Sequence, residues 1–143
     1  MSDSPNVVLD TSIIIELLRR KDLALGQKVA ELVLSRRAIL LCPVVFFEVE
    51  RGLKPEAKRQ RALFDGLQKI FEYREFDKAV WEGASKKWAA LRHLRNKPMT
   101  GDFLIAAYAE RHNAKMIARD RDFVRLAVPC EYWDSPGDSS LHQ

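Results

Sequence analysis

Val7-Val8-Leu9-Asp10-Thr11-Ser12-Ile13-Ile14-Ile15 decides the fold. The first three residues are a short apolar run of the kind that makes a strand buried on both faces. Asp10-Thr11-Ser12 then stops it, because short oxygen-bearing side chains cap helices and compete with strand pairing. From Ile13 the chain reads as a helix to Arg20, with a further helical stretch from Ala24 to Leu34. A strand running straight into helix opens a βαβ unit.

The alternation repeats outward from that start. Ala38-Ile39-Leu40-Leu41 is the second run, and Pro43 stands where a helix from about Val44 to Leu53 begins, a position that tolerates the missing N–H. Helical segments over about 55–70 and 78–94 flank a possible strand at Phe71 to Phe76. Thr100-Gly101-Asp102 opens a helix to about His112, the run Lys115 to Ala118 follows, and a short strand lies near Cys130 to Trp133. Five strands alternating with about as many helices predict a three-layer α/β/α sandwich around a mainly parallel sheet. The whole of 1–143 reads as one domain, ordered over about 6–134, with the polar, turn-rich stretch 135–143 as a flexible tail.

A chain of 143 residues, 47% hydrophobic and 31% charged, is long enough for a core that needs neither disulfide nor structural metal. Cys42 and Cys130 sit in apolar surroundings and read as small buried thiols of a reduced, cytoplasmic protein, with a cross-link between them left open. No apolar run approaches the roughly 20 residues of a membrane span. Gly26, Gly66 and Gly83 form no phosphate-cradling loop and no Walker-type lysine is present, which sets nucleotide-triphosphate enzymes aside. The formal charge of +4 permits a polyanionic partner, although each basic burst taken alone, such as Arg92, Arg95 and Lys97, reads as a solvated helix face.

The acids carry more information. Asp10 lies at the carboxyl end of the first run and Asp120 just past the end of the run Lys115 to Ala118, and in a parallel sheet those ends share an edge. Asp102, Ile105, Ala106 and Ala109 recur at helical spacing, so a carboxylate continues an apolar stripe. Taken alone it would be an acid complementing the helix dipole. Glu48 lies beside the stripe Val45, Val49, Leu53, whereas Glu50 points away from it. Four acids gathered at one sheet edge would repel one another and hold protons near neutral pH unless a cation joined them. A hard divalent metal, Mg²⁺ or Mn²⁺, fits that donor set, and zinc does not, because no Cys or His pair has ligand spacing. With basic helices around it, such a site suits phosphodiester hydrolysis in a nucleic acid.

Four segments together resemble the PIN-domain ribonucleases, and among them the VapC-type toxins of prokaryotic toxin–antitoxin pairs. They are 8–12 (VLDTS), 46–53 (FFEVERGL), 100–107 (TGDFLIAA) and 117–123 (IARDRDF). The resemblance spans nearly the whole chain. It implies a PIN-like α/β/α fold, Mg²⁺- or Mn²⁺-dependent endoribonuclease activity, an RNA substrate, a homodimer and neutralisation by a VapB-like antitoxin. It places catalysis and metal binding on Asp10, Glu48, Asp102 and Asp120, with Thr11 or Ser12 orienting Asp10. Ala118 stands where the family commonly has Thr, and Asp122 competes with Asp120 for the fourth acidic position. Arg51, one turn after Glu48, reads equally as a phosphate contact or a surface residue.

Trp81, Ala84, Trp88 and Leu91 mark an apolar face expected in the core or a dimer contact, as do Phe46, Phe47, Phe64 and Phe71, while His93 and His112 are expected to be exposed. The competing reading is a non-catalytic PIN-like module that holds RNA or protein, but such a module has no need to crowd carboxylates. A phosphoacceptor domain would open with paired acids, and this chain has Asp10-Thr11-Ser12.

Overall fold

In the computed structural model of the protein, residues 5–134 are described. The expected tail, 135–143, lies outside them. Five strands, β1 (Asn6–Leu9), β2 (Ile39–Leu41), β3 (Glu72–Tyr73), β4 (Ala114–Ala118) and β5 (Cys130–Tyr132), form one sheet in the order β3-β2-β1-β4-β5. Every pairing is parallel. Because β1 is central, it is covered on both faces: Val7, Val8 and Leu9 are at most 1% exposed.

Helices α1 (Thr11–Arg19) and α2 (Leu23–Leu34) link β1 to β2, and α3 (Pro43–Gly52) and α4 (Lys58–Ile70) link β2 to β3. The chain then crosses β1 through α5 (Lys78–Ala90) and α6 (Thr100–Arg111) to reach β4, and a 3₁₀ helix, Arg121–Leu126, leads to β5. Right-handed crossovers put the helices before and after this reversal on opposite faces. Accordingly α1 packs on α3 and α4, while α6 packs on α5 and the 3₁₀ helix. The β1/β4 junction is therefore the switch point of the sheet, outside whose carboxyl ends open α/β folds bind ligands.

Several elements differ from the sequence expectation for local reasons. The helix expected from Pro55 starts at Lys58 after a turn, and the one expected to reach Leu94 ends at Ala90. The strand expected over 71–76 keeps two residues, because only Glu72 and Tyr73 pair with β2. On α5, Val80 and Ala84 face inward, but Trp81 and Trp88 are 53% and 43% exposed rather than core. Phe64 and Phe71 are buried, Phe46 is half-buried, and Phe47 is exposed. His93 is exposed as expected, but His112 is half-buried, its ring set against Tyr108 with centroids 4.6 Å apart. Both cysteines are free thiols, Cys42 buried and Cys130 only half-buried on the edge strand. Among the described residues no helix is long and apolar enough to cross a membrane.

Candidate metal centre

Asp10 is fixed by backbone before its side chain does anything. Its N–H donates to the Ile117 carbonyl at 2.9 Å, extending the β1–β4 ladder by one residue, and its own carbonyl accepts from the N–H groups of Ile13 and Ile14 as α1 begins. The carboxylate therefore stands at the switch point. It is 6% exposed, the one buried charged side chain among the described residues. Burial, with smaller contributions from Glu48 and Asp120, raises its pKa from 3.8 to about 6, against the hydrogen bonds to Thr11 and Ser12 that favour the anion.

The other acids reach the same place from three different elements. Asp102 sits in the first turn of α6, one position deeper than expected, because Met99 rather than Thr100 is the cap residue. Ile105, Ala106 and Ala109 below it are fully buried, so its stripe points at the core. A helix N-terminus favours an anion by about 0.3–1 kcal/mol. Burial and the charges of Asp10, Asp120, Asp122 and Glu48 outweigh that and raise the Asp102 pKa to about 7. Asp120 follows β4 across Arg119 and caps the 3₁₀ helix, its Oδ1 accepting from the Asp122 N–H at 2.9 Å. Glu48 comes from α3, while Glu50 turns away to Arg61 at 3.1 Å.

Asp10, Thr11, Ser12, Ile15, Glu48, Arg51, Gly52, Asp102 and Asp120 line one open cleft of about 570 Å³. Asp122 is not among the lining residues; it is half-buried and paired with Arg125. The two hydroxyls divide their work. Ser12 Oγ donates to Asp10 Oδ2 at 3.1 Å, whereas Thr11 Oγ1 donates to Glu48 Oε1 at 2.5 Å. Arg51, largely exposed, lies 3.7 Å from Glu48 Oε2 and stacks on the Phe47 ring.

Two contributors escaped the sequence reading. A Cβ on Gly101 would stand 3.3 Å from Glu48 Oε2 and 3.4 Å from Val44 Cγ1, so the glycine leaves room for Glu48 against the start of α6. Its signal was a glycine inside a helix, where it costs about 0.8–1 kcal/mol relative to alanine. Arg119, just before Asp120, donates to Asp22 Oδ2 at 2.7 Å and ties the α1–α2 turn to the cleft; nothing in the spacing pairs those two positions.

The donor set is all oxygen, and burial, with smaller contributions from the neighbouring carboxylates, raises the pKa of two of its members, Asp10 and Asp102, above the carboxylate range. Among the described residues no three Asp, Glu, His or Cys side chains stand close enough together to hold a metal ion as they lie. A magnesium-like ion needs only one or two carboxylates, with waters completing its shell, so these residues fit such an ion.

A larger cavity lies elsewhere: an apolar groove of about 840 Å³ between α1, α2 and α4, lined by Leu17, Leu23, Val29, Val33, Leu63 and Leu67 among others. Leu23, Leu34 and Ile70 are left largely exposed at it.

Residues 7–129 match the family model of the PIN domain. The chain belongs to the PIN domain family. Among curated proteins no sequence matches it. Solved structures that share the PIN fold include VapBC2 from Rickettsia felis bound to a promoter DNA fragment, at a TM-score of 0.80 and 18% identity over 90% of this chain and 98% of that one. DNA-bound VapBC from Salmonella typhimurium has a TM-score of 0.78 and 20% identity, covering 90% and 98%. VapBC-5 from Mycobacterium tuberculosis, a member of the VapBC family of toxin–antitoxin systems, gives 0.65 and 21%, covering 92% and 100%. At these identities the likeness establishes the fold of this PIN domain.

Proposed function

We propose that this PIN domain is a metal-dependent endoribonuclease, the VapC-type toxin of a toxin–antitoxin pair, working in the cytoplasm as a homodimer. The observation that carries the reading is the convergence of Asp10, Glu48, Asp102 and Asp120 on one cleft at the switch point of a parallel sheet. Asp10 and Asp102, the two acids with raised pKa, together with Glu48 and Asp120, would hold Mg²⁺ or Mn²⁺ directly or through water. Bound there, the ion would activate water and offset charge developing on the phosphoryl oxygens. Ser12 keeps Asp10 oriented, Thr11 keeps Glu48 oriented, and Arg51 presents a guanidinium at the cleft to an RNA phosphate. Asp122 lies behind Asp120 and supports its loop through its N–H.

The apolar groove supplies the surface for a VapB-like antitoxin, since an amphipathic helix seats its apolar residues in such a trough. The Asp22–Arg119 pair runs from the groove's edge to the residue before Asp120, a route by which the occupant reaches the cleft. Induced expression of the chain in bacterial cells tests the reading. Growth arrest with fragmented RNA, relieved by the antitoxin and absent with Asp102→Asn, is the expected result. Arrest that persists undiminished with Asp102→Asn would refute it.

A further inference from the structure

Trp88, near the end of α5, is half out of the protein, and two cations lie over its indole: the Arg92 guanidinium 5.2 Å and the Lys97 ammonium 5.7 Å from the ring centre. Neither Trp88 nor these cations belong to the acidic cleft. Arg92 and Arg95 have no acidic partner among the described residues, and the Lys97 ammonium donates only to the Leu94 carbonyl. The cations are attracted to the indole face, and together they offer an exposed ring beside positive charge that no acid among the described residues offsets, a surface suited to a partner with flat rings and negative charge.

Its place in the fold says which partner. Residues 91–99 join α5 to the first turn of α6, so Lys97 precedes Asp102 by five positions. The segment is also fastened to the other side of the cleft. Asp120 accepts from the Asp122 N–H, Asp122 pairs with Arg125, and Arg125 donates to the Asn96 carbonyl. The basic segment thus continues the wall that carries Asp102 and Asp120. Arg51 lies on α3, in the opposite helical layer. A strand entering past Arg51 and crossing the acids would leave over residues 91–97.

We propose that Trp88, with Arg92 and Lys97, forms a stacking platform for an unpaired base of a single-stranded RNA whose scissile phosphate lies in the cleft. Arg95 and the two stacked cations engage the phosphates beside that base. The indole offers a face that any base can stack on, and the cations hold the backbone next to it. This rests on the ribonuclease reading and adds where the substrate is gripped and in what form. Trp81 is as exposed but pairs edge-on with Phe76 at 5.4 Å and has no cation over it among the described residues, which leaves it out of the platform.

The test uses the full chain in chelator, so that no strand is cut, with a fluorescent 12-nucleotide adenosine RNA and the same strand with its bases removed. Trp88→Ala is expected to weaken binding of the adenosine strand about tenfold and of the abasic strand less than twofold, with Trp88→Phe keeping most of the affinity. Arg92→Ala and Lys97→Ala should weaken both strands alike and flatten the salt dependence. Wild-type affinity in Trp88→Ala, or equal loss on both strands, overturns the platform. So does a change of oligomeric state in Trp88→Phe, which would make the patch a protein contact. A wild-type chain that neither binds nor cuts any RNA would overturn the ribonuclease reading itself. One that cuts RNA while Trp88→Ala binds normally overturns the platform alone.

Discussion

Replacing Asp10 by Asn should make the metal-free protein more stable at neutral pH, although it removes a residue assigned to the centre of the site. The folded-state pKa of Asp10 is raised from 3.8 to about 6. Below pH 3.8 the carboxyl is protonated in both states and contributes nothing. Between there and about pH 6 the unfolded chain gives up its proton while the folded protein keeps it, so stability falls as pH rises, and above about 6 the loss is complete. Two pH units correspond to about 3 kcal/mol. Asn takes the same volume and still accepts from Ser12, so most of that loss should be recovered, about 2–3 kcal/mol at pH 7.5. For a domain of this length that is a rise in Tm of roughly 5–10 °C. The assay is thermal unfolding of wild type and Asp10→Asn in chelator at pH 7.5 and at pH 4, where the difference should shrink towards zero. Millimolar Mn²⁺ should then raise the wild-type Tm and leave the variant unmoved. An Asp10→Asn protein less stable than wild type at pH 7.5 without metal would refute the reasoning, because it would mean that the anion is already compensated.

Thr11→Val, which removes the donor to Glu48 Oε1, should lower kcat/KM for RNA cleavage about tenfold and lower the Tm by several degrees, since a hydrogen bond to a charged group is worth about 1.5–3 kcal/mol. Ser12→Ala should lower Mn²⁺ affinity instead, read by titration calorimetry, because its hydroxyl serves Asp10. Arg119→Met leaves Asp22 without its partner and should lower the urea midpoint of unfolding; an unchanged midpoint would show that the pair carries no stability. Leu23→Asp in the apolar groove should abolish antitoxin binding in a pull-down while cleavage of RNA by the free protein stays at the wild-type rate.

Chain order made much of this site legible. Asp10 and Asp120 had to lie at the carboxyl edge because each follows a buried run in a parallel sheet, and Asp102 had to face inward because Ile105, Ala106 and Ala109 do. The choice of Glu48 over Glu50 also follows from helical phase alone. Strand order did not: that β4 lies beside β1, so that the switch point falls between Asp10 and Asp120, depends on how the crossovers close. The partner of Thr11 was hidden for a similar reason, since helix capping explains a Thr after a strand without any α3 beside it.

Side chains at the surface misled in a consistent direction. Trp81 and Trp88 have core spacing, but α5 packs on α6 through small residues, Gly83 against Ala107, and the indoles fall outside that contact. His112 lies in a charged stretch, yet the end of α6 sets its ring against Tyr108 and beside Arg74. Periodicity reports which residues share a face; it does not report how far the neighbouring element extends over it.

Cleavage of end-labelled small RNA by the purified chain, freed of any co-purifying partner and run with Mg²⁺, with Mn²⁺ and with chelator beside Asp10→Asn, tests the central claim most directly. Discrete fragments that require metal and vanish with Asp10→Asn are the predicted result. Fragments that persist in chelator, or at the same rate in Asp10→Asn, would contradict the assignment of the acidic cleft as the hydrolytic centre.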